Sequence, residues 1–155
     1  MLLLKGVTGI TEDNMHDQQD RKQFKKHCYT FITQYGGKVI CFTNPKLATN
    51  YFLTEVKIFG RLRFILLNEM YPFVAFASNV CYSAIDFVDE SELSGLFRPY
   101  YRVLQARELN EDLHLNLGSR KGMLLNVNGL SRLEMEKIAY WQPKTVGEVI
   151  FNHWD

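Results

Sequence analysis

The sequence predicts an α+β fold: a mainly antiparallel β-sheet, with a central meander over about residues 51–78, covered by an N-terminal helix and two short C-terminal helices. Three observations lead there. Between Tyr51 and Ser78, three runs of strand character follow one another with turn residues between them. From Gln18 to Tyr35, apolar side chains recur at helical spacing. After Leu130, two capping sequences each open a short helical segment. Strands grouped in the middle, with helices at the ends, is the order of an α+β domain with an antiparallel sheet.

In the first run, Phe52, Thr54, Val56 and Ile58 fall on one face and Leu53, Glu55 and Lys57 on the other. This period of two marks a strand with one buried face. Gly60-Arg61 breaks the run, because glycine enters positive φ freely and suits a tight turn. Leu62 to Leu67 begins in alternation and ends apolar on both faces, and Asn68 to Pro72 supplies the next turn. Phe73 to Ala77 is almost wholly apolar, as expected of a central strand covered on both sides. A buried helix would give a similar short run. Its length, its aromatic content and the flanking Pro72 favour a strand.

Residues 1–10 read either as a short edge strand or as a loose arm. Along the first helix, Phe24, Cys28, Phe31, Ile32 and Tyr35 form one stripe, with Arg21, Lys22, Lys25 and Lys26 on the wet side. Gly36-Gly37 ends it. The basic run reads as a solvated helix face, the alternative being contact with an acidic partner. Lys38 to Phe42 is a short strand, and Val80 to Val88 a possible fourth meander strand. Asp89 and Glu92 have capping-box spacing for a short helix through Leu93, Leu96 and Phe97. Tyr100 to Leu104 reads as a strand. Leu113, Leu115 and Leu117 alternate with polar residues and turn at Gly118–Gly122 into Met123-Leu124-Leu125. Ser131 and Glu134 form a capping box with a Leu130–Met135 staple, and this helix stops before Pro143. Thr145 and Glu148 form a second box, opening a helix with the stripe Val146, Val149, Ile150 and Trp154.

At 155 residues, with 46% hydrophobic and 23% charged residues, the chain has the size and composition of one globular domain, 1–155. A net charge of +1 argues against strong attraction to nucleic acid or an anionic membrane. Its apolar runs are far shorter than the roughly 20 residues that span a bilayer. Met1 to Leu4 is too short for a signal-peptide core. Cys28, Cys41 and Cys81 are an odd, unpaired set, and Asn-x-Ser/Thr is absent. The expectation is a cytoplasmic protein with buried free thiols.

The motifs of common chemistry are missing. Neither glycine-rich phosphate-loop pattern occurs, and Gly118-Ser119-Arg120-Lys121-Gly122 reads as a hairpin tip. His16, His27, His114 and His153 are scattered and lack the close-spaced partners of a zinc site. His27 is expected to face water, and His153 to lie exposed at a fraying helix end. The cysteines read as inert core thiols. Asp86, Asp89, Glu90 and Glu92 offer an acid/base pair only in principle, since capping accounts for two of them. The last helix carries no cation after its cap, so a helix-turn-helix reading fails on electrostatics. No catalytic residue, metal ligand or cofactor site is assigned.

Aromatic residues make up 14% of the chain. Tyrosine and tryptophan favour interfaces because they bury area while keeping a polar end. Tyr100 and Tyr101 are adjacent, so on a strand one of them faces outward. With Glu90 and Glu92 they form the candidate partner-binding patch. The block Tyr140 to Asn152 (YWQPKTVGEVIFN), with Tyr51-Phe52-Leu53-Thr54 upstream, resembles segments of small uncharacterised bacterial cytoplasmic proteins. Some of those are similar to immunity proteins that neutralise a neighbouring toxin. The resemblance implies a binding protein and carries over no catalytic residue. The function expected is a small protein-binding module without catalysis, of the immunity-inhibitor kind, whose partner is another protein. The alternative is an enzyme or small-molecule-binding domain assembled from distant residues, with His114 and the Asp86–Glu92 acids as participants.

Overall fold

The computed structural model describes residues 1–11, 19–46, 48–116 and 123–154. Its centre is the meander: β2 (Tyr51–Ile58), β3 (Arg61–Asn68) and β4 (Phe73–Val80). β1 (Lys38–Thr43) and β5 (Ile85–Val88) extend it to the antiparallel order β1-β2-β3-β4-β5. The β2–β3 turn is two residues long, with Ile58 opposite Arg61. Phe59 and Gly60 both have positive φ, 55° and 70°, the type I′ geometry that matches strand twist. Glycine adopts this freely, whereas Phe59 is held in an uncommon conformation with its ring against Tyr35.

The period-two pattern sends each strand's side chains into two cores. Phe52, Val56, Ile58, Ile65, Leu67, Val74 and Phe76 meet Phe24, Cys28, Phe31 and Ile32 of α1 (Arg21–Gln34) and Leu93 and Phe97 of α2 (Ser91–Phe97). Tyr51, Leu66, Phe73, Ala75 and Ala77 face the opposite way. There they pack against α3 (Ala106–Leu109), α4 (Arg132–Trp141), α5 (Val146–Ile150) and the N-terminal coil. The sheet thus lies between two helical layers, and Phe73 to Ala77 is buried throughout.

β6 (Arg102–Val103) departs from the antiparallel plan. Of the predicted strand Tyr100–Leu104 only these two residues form it, and they run parallel to β4 at Phe73 and Val74. β5 covers the outer edge of β4 only from Phe76 onward. The chain crosses over through α2 and returns to the part of that edge left open. β7 (Leu115–Asn116) and β8 (Met123–Leu124) make the predicted hairpin. Its tip, Gly118–Gly122, lies outside the described residues.

Asp20 caps α1, accepting from Gln23 N at 3.1 Å, and Gly36 (φ 74°) closes it. Ser131 and Glu134 complete their capping box. The second box is half made. Thr145 Oγ1 accepts from Glu148 N, but the Glu148 carboxylate accepts from Lys144 N. α5 ends at Ile150, so Trp154 lies beyond the helical stripe. Asp89 does not cap α2, because the cap position is Glu90 and the Asp89 carboxylate accepts from Ala106 N.

Residues 1–10 form neither an edge strand of the main sheet nor a loose arm. Leu3 and Val7 are fully buried, and Leu3 makes a single parallel bridge to Asn128. The fully buried Glu134 carboxylate accepts from Gly6 N, Thr8 N and Thr8 Oγ1. Asn50 and Asn68, at the adjoining ends of β2 and β3, each donate to the carbonyls of Val7 and Ile150 at 2.8–3.0 Å. Asn152 donates its backbone N–H to Asn50 Oδ1 and its amide to Thr8 O. These buried amides tie both ends of the described chain to the sheet.

Among the cysteines only Cys28 is buried. Cys41 and Cys81 are exposed, against the expectation of three core thiols. A bulge between Val39 and Cys41 breaks the alternation of β1, and Cys81 lies in the β4–β5 turn.

Candidate functional site

The predicted patch does not come together as one free surface. Glu90 faces Arg63, Oε1 to Nε 2.7 Å, with both side chains mostly covered. Glu92 is exposed on the first turn of α2. Tyr100 and Tyr101 follow the other end of that helix, which is about 10 Å long at 1.5 Å per residue. Tyr100 is 54% exposed. Tyr101 is half-buried, and its hydroxyl meets His27 Nδ1 at 2.8 Å. His27, expected in water, is instead roofed by the Tyr100 ring at 4.2 Å and stacked on Phe31. Burial and then the neighbouring Lys26 lower the His27 pKa, and burial foremost raises that of Tyr101, so both shifts favour the neutral forms.

No hydrogen bond or ion pair joins His114 to the acids of the second reading among the described residues. The His114 backbone N–H donates to Asn126 Oδ1 and its side chain is exposed. Among the described residues no group of three His, Cys, Asp or Glu side chains is arranged to hold a metal ion.

A concave surface lies elsewhere, built from residues that no sequence motif brings together. A groove of about 460 Å³ runs between the β4–β5 turn, the α4–α5 connection and the segment after α5. Trp141, Pro143, Tyr82, His153 and Trp154 line it. Phe87 and Phe151, 5.8 Å apart, line it as well. Local chemistry sets each part. The turn after Val80 is closed by Cys81 N donating to Ala84 O, which leaves Tyr82 at its apex, 84% exposed. Gln142 takes a left-handed conformation at the end of α4, so the chain swings through Pro143 into α5. Gly147 lets the walls close, since a Cβ there would meet Phe87 Cε2 at 2.5 Å.

His153 is not a frayed end. Its Nε2 lies 2.8 Å from the hydroxyl of the buried Tyr51, and Tyr82 covers its ring at 5.1 Å. Burial lowers the His153 pKa, while burial and then Tyr82 raise that of Tyr51. Both shifts favour the neutral forms, and the contact between the two fixes the ring in the groove. Cys81 also lines the groove, its thiol acidified first by the Ser83 hydroxyl and then by the Ala84 backbone. Its hydrogen bonds go to Ser83 and Ala84, not to His153. A nucleophile–base couple therefore does not form in this geometry. What the groove offers is aromatic area with polar tips.

Tyr140, 76% exposed and edge-on to Trp141 at 5.3 Å, extends that area beyond the rim. The signal available in sequence was an aromatic residue inside the small polar turn Cys81-Tyr82-Ser83-Ala84, where a core role has no support. No family model, no curated protein and no solved structure matches this chain.

Proposed function

We propose that the chain is a small protein-binding module without catalysis of its own, acting in the cytoplasm. In its finer form it is an inhibitor of the immunity kind that works by covering a partner protein. The observation that carries this reading is the aromatic groove. Tyr82, Tyr140 and Trp141 stand exposed around a concavity that has no nucleophile–base couple, and such residues anchor interfaces by burying area at low conformational cost. The segment Tyr140–Asn152, which resembles proteins of the immunity kind, supplies much of that groove's lining. Of the earlier patch, Glu92 and Tyr100 remain available as secondary contacts, while Glu90 and Tyr101 are engaged within the fold.

One observation favours a second reading, a small-molecule site: a volume near 460 Å³ falls in the usual range for ligand pockets. Capture from native lysate separates the two. Tagged wild type and the Tyr82→Ala/Trp141→Ala variant are compared, with mass spectrometry of what each retains. The binding-module reading expects one stoichiometric protein on wild type that is lost from the variant. Equal retention by both would remove the groove as the contact site, and a retained small molecule without protein would favour the second reading.

A further inference from the structure

Charge is segregated along this chain, and the fold turns that into a polarity in space. From Asp20 to Arg63 there are nine lysines and arginines against two acids; from Phe64 to Asn116 there are eight acids against three arginines. The first segment builds α1, β1 and β2 at one side of the sheet, and the second supplies β5, α2 and α3 toward the other. The edge strands β1 and β5 are four strand spacings apart, about 19 Å.

At the basic edge, two arrangements work against the stability of the isolated fold. Arg21, Lys22, Lys25 and Lys26 all lie exposed in the first half of α1, the positive end of its dipole, with no acid in the first turn. Lys38 and Lys57, also exposed, are directly opposed across β1 and β2, where like charges repel. None of the six has an ion-pair partner among the described residues. They are not scattered. They line one edge from both faces of the sheet: Arg21 and Lys25 of α1 lie over the Phe42 ring, at 5.9 and 5.6 Å, whereas Lys38 and Lys57 alternate with the α1-facing Val39 and Val56 and point to the other face, Lys38 at the far end of the strand. Phe42 to Lys38 is four strand steps, about 14 Å, the span of a four- to five-residue extended peptide. Ile40 is 50% exposed, and among the described residues β1 has a strand partner on one side only.

We propose that the α1/β1 edge is a second docking surface, separate from the groove, and that it receives a short acidic segment of a partner protein. An extended segment along this edge turns alternate side chains to the two faces, toward the four α1 cations on one and Lys38 and Lys57 on the other, while Ile40 and Phe42 supply apolar contact. A short segment fits better than a long polyanion, because the acid-rich side of the same molecule repels any nucleic acid that extends past the patch.

The test is fluorescence anisotropy of labelled, capped hexaglutamate and of a labelled single-stranded DNA oligonucleotide, each titrated with the full chain. The expected result is saturable binding of hexaglutamate at low salt, weakened about tenfold or more near 0.5 M salt, where the screening length falls to a few Å. Lys25→Glu/Lys26→Glu should abolish it, and Ile40→Ser should weaken it several-fold, while circular dichroism confirms that both variants are folded. Tyr82→Ala/Trp141→Ala should leave it unchanged, so this surface and the groove stand or fall separately. No hexaglutamate binding, binding unaffected by Lys25→Glu/Lys26→Glu or by Ile40→Ser, or tighter binding of the oligonucleotide would each overturn the proposal.

Discussion

Replacing Glu134 by Gln asks how strongly the N-terminal coil is tied to the rest of the fold. The wild-type carboxylate is fully buried and accepts from four donor groups: Gly6 N at 3.0 and 3.1 Å, Thr8 N at 3.4 Å, Thr8 Oγ1 at 2.6 Å and Ser131 N at 2.8 Å. Glutamine has the same shape but one acceptor oxygen. If that oxygen takes the Oε1 position, Ser131 N loses its acceptor and the NH₂ crowds Gly6 N; if it takes Oε2, Thr8 N and Thr8 Oγ1 both lose theirs, and Gly6 N keeps an acceptor in either case. One or two donors therefore lose their acceptor, according to the orientation. At ~1–3 kcal/mol each, and with the hydrogen bonds to a charged group gone, the loss should be about 3 kcal/mol. That is a large fraction of a typical domain's stability. Urea unfolding followed by circular dichroism should show a lower midpoint with an unchanged slope. Thr8→Val removes one donor and leaves the carboxylate in place, and should cost about 1.5 kcal/mol. Because the two side chains touch, the double variant should lose less than the sum of the single ones. A Glu134→Gln variant within about 0.5 kcal/mol of wild type would refute the reasoning, since ordinary surface substitutions fall in that range.

Three further outcomes follow from the same contacts. Glu90→Gln should destabilise by about 2 kcal/mol by leaving the covered Arg63 guanidinium without its carboxylate, whereas Glu92→Gln should be neutral in the same urea assay. Ellman's reagent should modify Cys41 and Cys81 quickly, Cys81 first because its thiol is the acidified one. Cys28, whose pKa burial raises to about 12, should react only on unfolding; three fast thiols would contradict this. His27 and His153 both have pKa values below the ordinary 6.5 in the folded state, so the unfolded chain binds more protons as pH falls through that value. Their contribution is therefore full above about pH 6.5 and is lost on acidification, and the stability–pH curve of His27→Gln/His153→Gln should be flatter between pH 7 and 5.

What was legible in the sequence was what neighbouring residues decide among themselves. The meander, α1 and its glycine stop, and the Ser131–Glu134 box each depend on spacing within one segment, and each formed. Errors arose where a distant partner took over a group. The Asp89-to-Glu92 spacing was correct for a box, yet Ala106 N claimed the Asp89 carboxylate and left Glu90 at the cap. Glu134 was recognisable as a cap, but nothing local marks Gly6 and Thr8 as its other donors. Cys41 has the flanks of a core residue, and only the bulge beside it turns it to solvent. The groove is the extreme case. Tyr82, Trp141 and His153 are contributed by a strand turn, a helix end and a segment beyond the last helix. Their meeting depends on how α5 packs beside Phe87, a contact that needs Gly147 and has no period to betray it.

The central claim is that the groove is where a partner is held, and the chain carries a direct reporter of it. Both of its tryptophans, Trp141 and Trp154, line that groove. The protein labelled with 5-fluorotryptophan should give two fluorine resonances, assigned by single Trp→Phe variants. Addition of the captured partner should shift or broaden both. If neither resonance moves at saturating partner, the partner binds elsewhere and the account of the groove is wrong.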